Sequence, residues 1–140
     1  MSWWGKYVGV AYRDGGREMA GLDCWGLVRL VYATDLGLSL PEFAEIEPRD
    51  LRGVAEAMLE GRNAGPWRGV TGSPHAFDVL VASPRIGSRL PGHVGVMVDA
   101  TRVLHVWRAT NACVMPITHD FLRGRVLGLQ RHVSRITADA

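Results

Sequence analysis

Cys24, His93 and His105 are the residues of this chain whose types and spacing could together break an amide bond. Asp23 is a favoured helix N-cap, and Leu27, Val28, Leu30 and Val31 follow at helical spacing, so Cys24 falls in the first turn of a helix. Unpaired N–H groups and the positive end of the helix dipole favour negative charge there. A thiol so placed is expected to lose its proton near neutral pH and act as a nucleophile. The same N–H groups can stabilise the oxyanion formed when a carbonyl is attacked. Gly26 keeps that turn uncrowded.

His93 opens the run His93-Val94-Gly95-Val96-Met97-Val98, whose valines alternate onto a core face and leave His93, Gly95 and Met97 on the other. Gly95 is expected to leave open space beside the histidine. His105 stands between Leu104 and Val106, twelve positions further on. With an odd-length loop such as Val98-Asp99-Ala100, the two histidines lie opposite each other on one face. Directly paired residues have Cβ atoms about 4.5–5.5 Å apart, close enough for an imidazole–imidazole hydrogen bond. A two-residue turn would put them on opposite faces.

The three side chains then supply a nucleophile, a base and an orienting group. His93, within hydrogen-bond reach of the Cys24 sulfur, takes the thiol proton and returns it to the leaving amine; His105 fixes the tautomer of His93. The plain alternatives are a buried structural cysteine and a surface histidine at a strand start. A Zn²⁺ site from the same residues is the rival chemistry, but the close paired ligand spacing is missing, so neither metal nor cofactor is expected.

These residues need a helix and a sheet to position them. The first helix is expected to end at Gly37, with Pro41 preventing continuation. A second helix over 50–60 carries a stripe of Leu51, Val54, Ala55, Met58 and Leu59. Strands follow at 77–82, 93–98, 103–107, 112–115 and 126–132, with a helical turn at 119–122 before the last. Helices first and closely spaced strands afterwards give an α+β fold, a helix packed on a meandering antiparallel sheet. The chain is read as a single domain over 1–140: an irregular arm at 1–21, a helical part at 22–62 and a sheet at 66–133.

The totals agree with one compact domain: 140 residues, 47% of them hydrophobic. No apolar run approaches the roughly 20 residues that cross a bilayer, so no membrane insertion is expected. The start, Met1-Ser2-Trp3-Trp4-Gly5-Lys6, lacks the order of a secretory signal, so the protein is expected to be made in the cytoplasm and to leave the cell, if at all, as part of something else or after lysis. A net charge of +2 gives no argument for nucleic acid. Lys6 is the only lysine, and a GC-rich genome explains the arginine excess more plainly than function does. Without an export signal, Cys24 and Cys113 are expected to be reduced.

Gly21-Leu22-Asp23-Cys24-Trp25-Gly26-Leu27-Val28, Gly92-His93-Val94-Gly95-Val96 and Val103-Leu104-His105 resemble the three motifs of the NlpC/P60 cell-wall peptidases. Trp25 and the stretch Gly37-Leu38-Ser39-Leu40-Pro41 resemble the branch found in phage and gene-transfer-agent tails. The resemblance implies a papain-like fold and a thiol protease that hydrolyses amide bonds in peptidoglycan stem peptides, often between D-glutamate and diaminopimelate. It implies Cys24, His93 and His105 as the catalytic triad. It also implies a place for Tyr12 near the active site, where its hydroxyl either donates to the developing oxyanion or packs in the arm. Asp78 matches a structural acidic position, whereas His75-Ala76-Phe77 departs from the Pro-Gly approach usual before it.

Further partners implied are other tail or baseplate proteins, with the protein riding in a phage-like particle as a virion component and acting at the cell wall or periplasm during DNA delivery. The alternative is a structural tail-tip or assembly protein that keeps the peptidase fold with little activity. Trp3, Trp4 and Trp67 are candidates for a docking surface, with core packing as the competing fate.

Overall fold

The computed structural model describes residues 2–40, 66–83, 85–88, 92–108 and 110–136. Helix α1 spans Cys24–Val31 and starts at Asp23, whose extended backbone and side-chain acceptor meet the Gly26 N–H. Leu27, Val28 and Val31 form its buried stripe. The chain then widens into a π-helical turn over Tyr32–Leu36, and Gly37, at φ 66°, stops it. The predicted stop thus stands, reached through a π turn rather than a regular last turn. The helix expected at 50–60 lies outside the described residues.

A short hairpin precedes α1, formed by β1 (Arg17–Glu18) and β2 (Gly21–Leu22). The main sheet contains β3 (Trp67–Gly69), β4 (Val79–Ala82), β5 (His93–Met97), β6 (Arg102–Trp107), β7 (Thr110–Pro116) and β8 (Val126–His132). Its order is β3-β8-β4-β5-β6-β7, with every neighbouring pair antiparallel. The expected meander holds only from β4 to β7. After it the chain crosses back, and β8 inserts between β3 and β4. The five expected strands are all present, and β1, β2 and β3 are additional.

Alternation along the strands builds two apolar layers. Between α1 and the sheet lie Val79, Val81, Val94, Val96, Leu104 and Val106. Leu80, Ala82, Met97 and Val103 point the other way, onto Leu122 and the half-buried Phe121 of the segment before β8. The face carrying His93 and Met97 is therefore covered as well, which is why all of β5 is buried. Each buried Val, Leu or Met contributes about 1.5–3 kcal/mol relative to exposure.

Two contacts anchor the approach to β4. Arg131 on β8 donates from Nε and Nη2 to the two Asp78 oxygens, each at 2.8 Å, which gives Asp78 the expected structural role. Phe77 stands at φ 75°, a left-handed conformation costly for a bulky residue. Its carbonyl accepts from the Tyr32 hydroxyl, and its ring stacks on Trp3 at 4.3 Å. The stretch that departs from a Pro-Gly approach thus holds a positive φ at Phe77. Trp67 is core, 5% exposed, and Trp3 and Trp4 are half-buried, so the three do not form an exposed aromatic surface.

Candidate active site

The start of α1 is held from several directions. Asp23 Oδ1 accepts the Gly26 N–H at 2.7 Å and Arg17 Nη1 at 2.7 Å, while Oδ2 accepts the Gly15 N–H at 3.0 Å. A Cβ on Gly26 would stand 1.9 Å from the Gly16 carbonyl oxygen, so only glycine lets the arm lie against the helix there. Gly26 is thus a close-packing position. Its N–H is taken by the cap and is not free for an oxyanion.

Cys24 is 1% exposed. The backbone N–H groups of Val94 and Trp25 lie near its sulfur and favour the thiolate. The sulfur therefore reaches the sheet at the residue that follows His93. The registered pairs of β5 and β6 are Val96↔Leu104 and Met97↔Val103. Continued, that register sets Gly95 opposite His105 and His93 two positions along, on the same face. The histidines are diagonal neighbours rather than the directly opposed pair expected. Gly95 explains how they still meet: a Cβ there would stand 3.0 Å from His105 Cβ, so the expected open space is occupied by β6 itself.

His93 Nε2 and His105 Nδ1 are 2.8 Å apart. Both rings are buried, and Trp107 meets His93 edge-on with ring centroids 4.7 Å apart. Among the described residues, His93 Nδ1 and His105 Nε2 have no hydrogen-bond partner. The structure thus joins the two imidazoles and brings the sulfur to Val94, but the expected thiol–imidazole hydrogen bond is not formed. If Nε2–H of His93 donates to His105 Nδ1, the lone pair of His93 Nδ1 is left as the open acceptor.

Burial governs the charge states. It pushes the Cys24 thiol from an ordinary 9.0 up to about 12, helped by the Asp23 carboxylate and opposed by the Val94 and Trp25 N–H groups and Arg17. That rise is equivalent to about 4 kcal/mol against the thiolate, more than the roughly 0.3–2 kcal/mol a helix dipole supplies. The thiolate expected from the helix start alone is therefore not the resting state. Burial, then His105 and Arg125, hold His93 well below its usual value. Burial, then His119, lower His105 to about 4. Near neutral pH the three groups are a thiol and two neutral imidazoles.

Tyr12 lies close enough to Cys24 for the two to interact electrostatically, as expected of a residue near the site. Its hydroxyl donates to Asp14 Oδ1 at 2.7 Å, however, and burial and that bond hold its proton on. The Arg108 guanidinium lies over the Tyr12 ring at 5.8 Å and 3.7 Å from Asp14 Oδ1. An oxyanion could use Tyr12 only after Asp14 lets go. Asp14, Arg108, Trp107 and Phe121 were not anticipated. Trp107 shares His105's strand parity, which was the one available signal. Among the described residues, no group of three or more His, Cys, Asp or Glu side chains is placed to hold a metal ion. Cys24 and Cys113 are free thiols.

Comparison with known proteins adds an independent line. The NlpC/P60 family model matches residues 9–131. A Bacillus subtilis (strain 168) protein, gamma-DL-glutamyl hydrolase, is 27% identical over 127 residues, which make up 90% of this chain but 27% of that protein. The chain therefore spans about a quarter of that relative's length. The NlpC/p60 domain of the peptidoglycan hydrolase SagA is similar in structure, with a TM-score of 0.54 and 23% identity over 83% of this chain and 85% of that one. An NlpC/P60 family protein from Bacillus cereus ATCC 10987 gives a TM-score of 0.65 at 16% identity, covering 91% of this chain and 37% of that one. At these identities the structural likeness carries the fold: an α+β, papain-like arrangement which, among the described residues, sets α1 on a six-stranded antiparallel sheet.

Proposed function

The chain belongs to the NlpC/P60 family, and from that premise we propose that it is a cysteine peptidase that hydrolyses amide bonds in peptidoglycan stem peptides. The observation that carries this reading is the 2.8 Å His93–His105 bond with an open Nδ1 on His93, one residue from the Val94 N–H that lies near the Cys24 sulfur. The names gamma-DL-glutamyl hydrolase and peptidoglycan hydrolase, borne by similar proteins, support the substrate class.

In the proposed reaction His93 Nδ1 removes the thiol proton as sulfur attacks the carbonyl, because burial raises the Cys24 thiol and lowers the His93 imidazole, so that the resting pair is neutral. Charge then arises only as the bond forms. His105 Nδ1 accepts from His93 Nε2–H and stabilises the imidazolium, which next protonates the leaving amine. Water hydrolyses the thioester and restores the thiol. Replacing Cys24 with Ala should abolish release of stem-peptide fragments from purified sacculi while the far-UV circular dichroism is unchanged. Undiminished release by that variant overturns the reading.

The setting proposed for this activity is a phage-type or gene-transfer-agent tail that opens the wall locally during DNA delivery. Motif likeness supports it, through Trp25 and the stretch Gly37-Leu38-Ser39-Leu40-Pro41. A second reading, a tail-tip assembly protein with little chemistry, is favoured by the burial of Cys24 and the unmade thiol–imidazole bond. Muropeptide mass analysis separates the two: new stem-peptide cleavage products support the enzyme, and their absence supports the assembly role.

A further inference from the structure

The segment 117–125 crosses the sheet face that carries His93 and His105. It is a chain of tight turns: the Leu122 N–H donates to the His119 carbonyl at 2.9 Å, and the Arg125 N–H donates to the Leu122 carbonyl at 2.9 Å. Leu122, 1% exposed, anchors the segment in the second apolar layer. His119 Nδ1 accepts the Phe121 N–H at 3.0 Å, which fixes the backbone from which the Phe121 ring projects. That ring lies 5.5 Å from His105, 6.2 Å from His93 and 5.8 Å from Trp107, centroid to centroid. The Arg125 guanidinium packs over it at 4.7 Å.

Two rings, Trp107 and Phe121, pack around the imidazole pair. Trp107 closes the end beside His93, and Phe121 covers both histidines from the side away from α1. Cys24, on α1, reaches the sheet at Val94, so the Phe121 side is not the side from which the sulfur comes. Phe121 has nothing to offer a reacting carbonyl. A hydrocarbon ring held there excludes water from the two histidines and limits the rotation of the His105 ring.

We infer that Phe121 is a positioning residue: it walls the His93–His105 pair off from water and holds the His105 ring in line to accept from His93 Nε2–H. This rests on the reading of His93 as base and His105 as its orienting group. The groups that face His105 are His93 on β5, Cys113 directly across on β7 and His119 from the covering segment, whose Arg125 lies over the Phe121 ring and acts on His93. Removing the ring hydrates His105 and makes its protonated form less costly. A protonated His105 cannot accept from His93, so the orienting bond is lost at a higher pH than before.

The test follows the ring titrations of His93 and His105 by NMR in the whole chain, for the parent and for Phe121→Ala, Phe121→Leu and Phe121→Tyr. The His105 titration should start near 4 and move up by one unit or more in Phe121→Ala, by less in Phe121→Leu, and hardly at all in Phe121→Tyr. Alongside, the ratio of kcat/KM at pH 5 to that at pH 7 should fall about tenfold in the Ala variant if the titration reaches about 6, with Tyr restoring it. If Phe121→Ala does not fold, Phe121→Leu decides. An unchanged His105 titration in a folded opened variant overturns the inference, as does a Tyr variant that shifts as far as the Ala one. The NMR reading does not need turnover. A shifted titration in a chain that hydrolyses no stem peptide supports the wall and overturns the peptidase reading. An unshifted one with full hydrolysis does the reverse.

Discussion

A proton leaving Cys24 in the proposed reaction goes to His93 Nδ1, because with Nε2–H of His93 donating to His105 Nδ1 the other unpartnered nitrogen, His105 Nε2, carries its own ring's proton. The value of His105 then lies in accepting a single bond. His105→Ala should lower kcat on a stem peptide by roughly 10²-fold or more with little change in KM. His105→Asn, whose side-chain oxygen can accept the same bond, should retain more of the rate than Ala. Steady-state kinetics of the two variants at pH 7 checks this, and equal kcat in His105→Ala and the parent rules out an orienting role. Neither variant needs Tyr12, whose hydroxyl is engaged by Asp14.

At the scale of elements, the connection into β4 carries a testable cost. Phe77 keeps a φ of 75°, which is unfavourable by roughly 1–2 kcal/mol for a residue with a Cβ. Phe77→Ala loses the Trp3 stack and keeps the strain, whereas Phe77→Gly loses the stack and releases the strain. The glycine variant should therefore be the more stable of the two by about 1 kcal/mol, the reverse of the usual order. Urea unfolding of both decides it, and an Ala variant equal to or better than Gly refutes the strained backbone. The elements also mark how far the sequence could be read. Asp23 with the apolar spacing after it gave away α1, and the valine alternation of β5 put His93 and His105 on one face. Three things were hidden. The insertion of β8 depends on non-local pairing that no local pattern encodes. The diagonal placing of the histidines depends on register. The raised thiol pKa depends on burial, which appears only once the arm closes over Gly26.

For the whole molecule, burying two neutral histidines ties folding to pH. His105 titrates near 6.5 when unfolded and about 4 when folded, so the unfolded chain takes up the proton first as pH falls. Stability is intact above 6.5 and is lost progressively towards 4, on the order of 3 kcal/mol for this residue, and His93 shifts in the same direction. The urea midpoint should drop between pH 7.5 and pH 4.5, and the drop should be smaller in His105→Asn. Equal drops in the two chains speak against a buried neutral His105. The strand order has a consequence of another kind, for synthesis. When a ribosome has made Cys24, His93 and His105, the interior strand β8 has still to be made, and β4 lacks the neighbour that separates it from β3. Domains generally fold as units, so a nascent chain holding every residue of the candidate site is still without a complete sheet to mount them on. In the proposed reaction, no cutting can begin before β8 has left the ribosome.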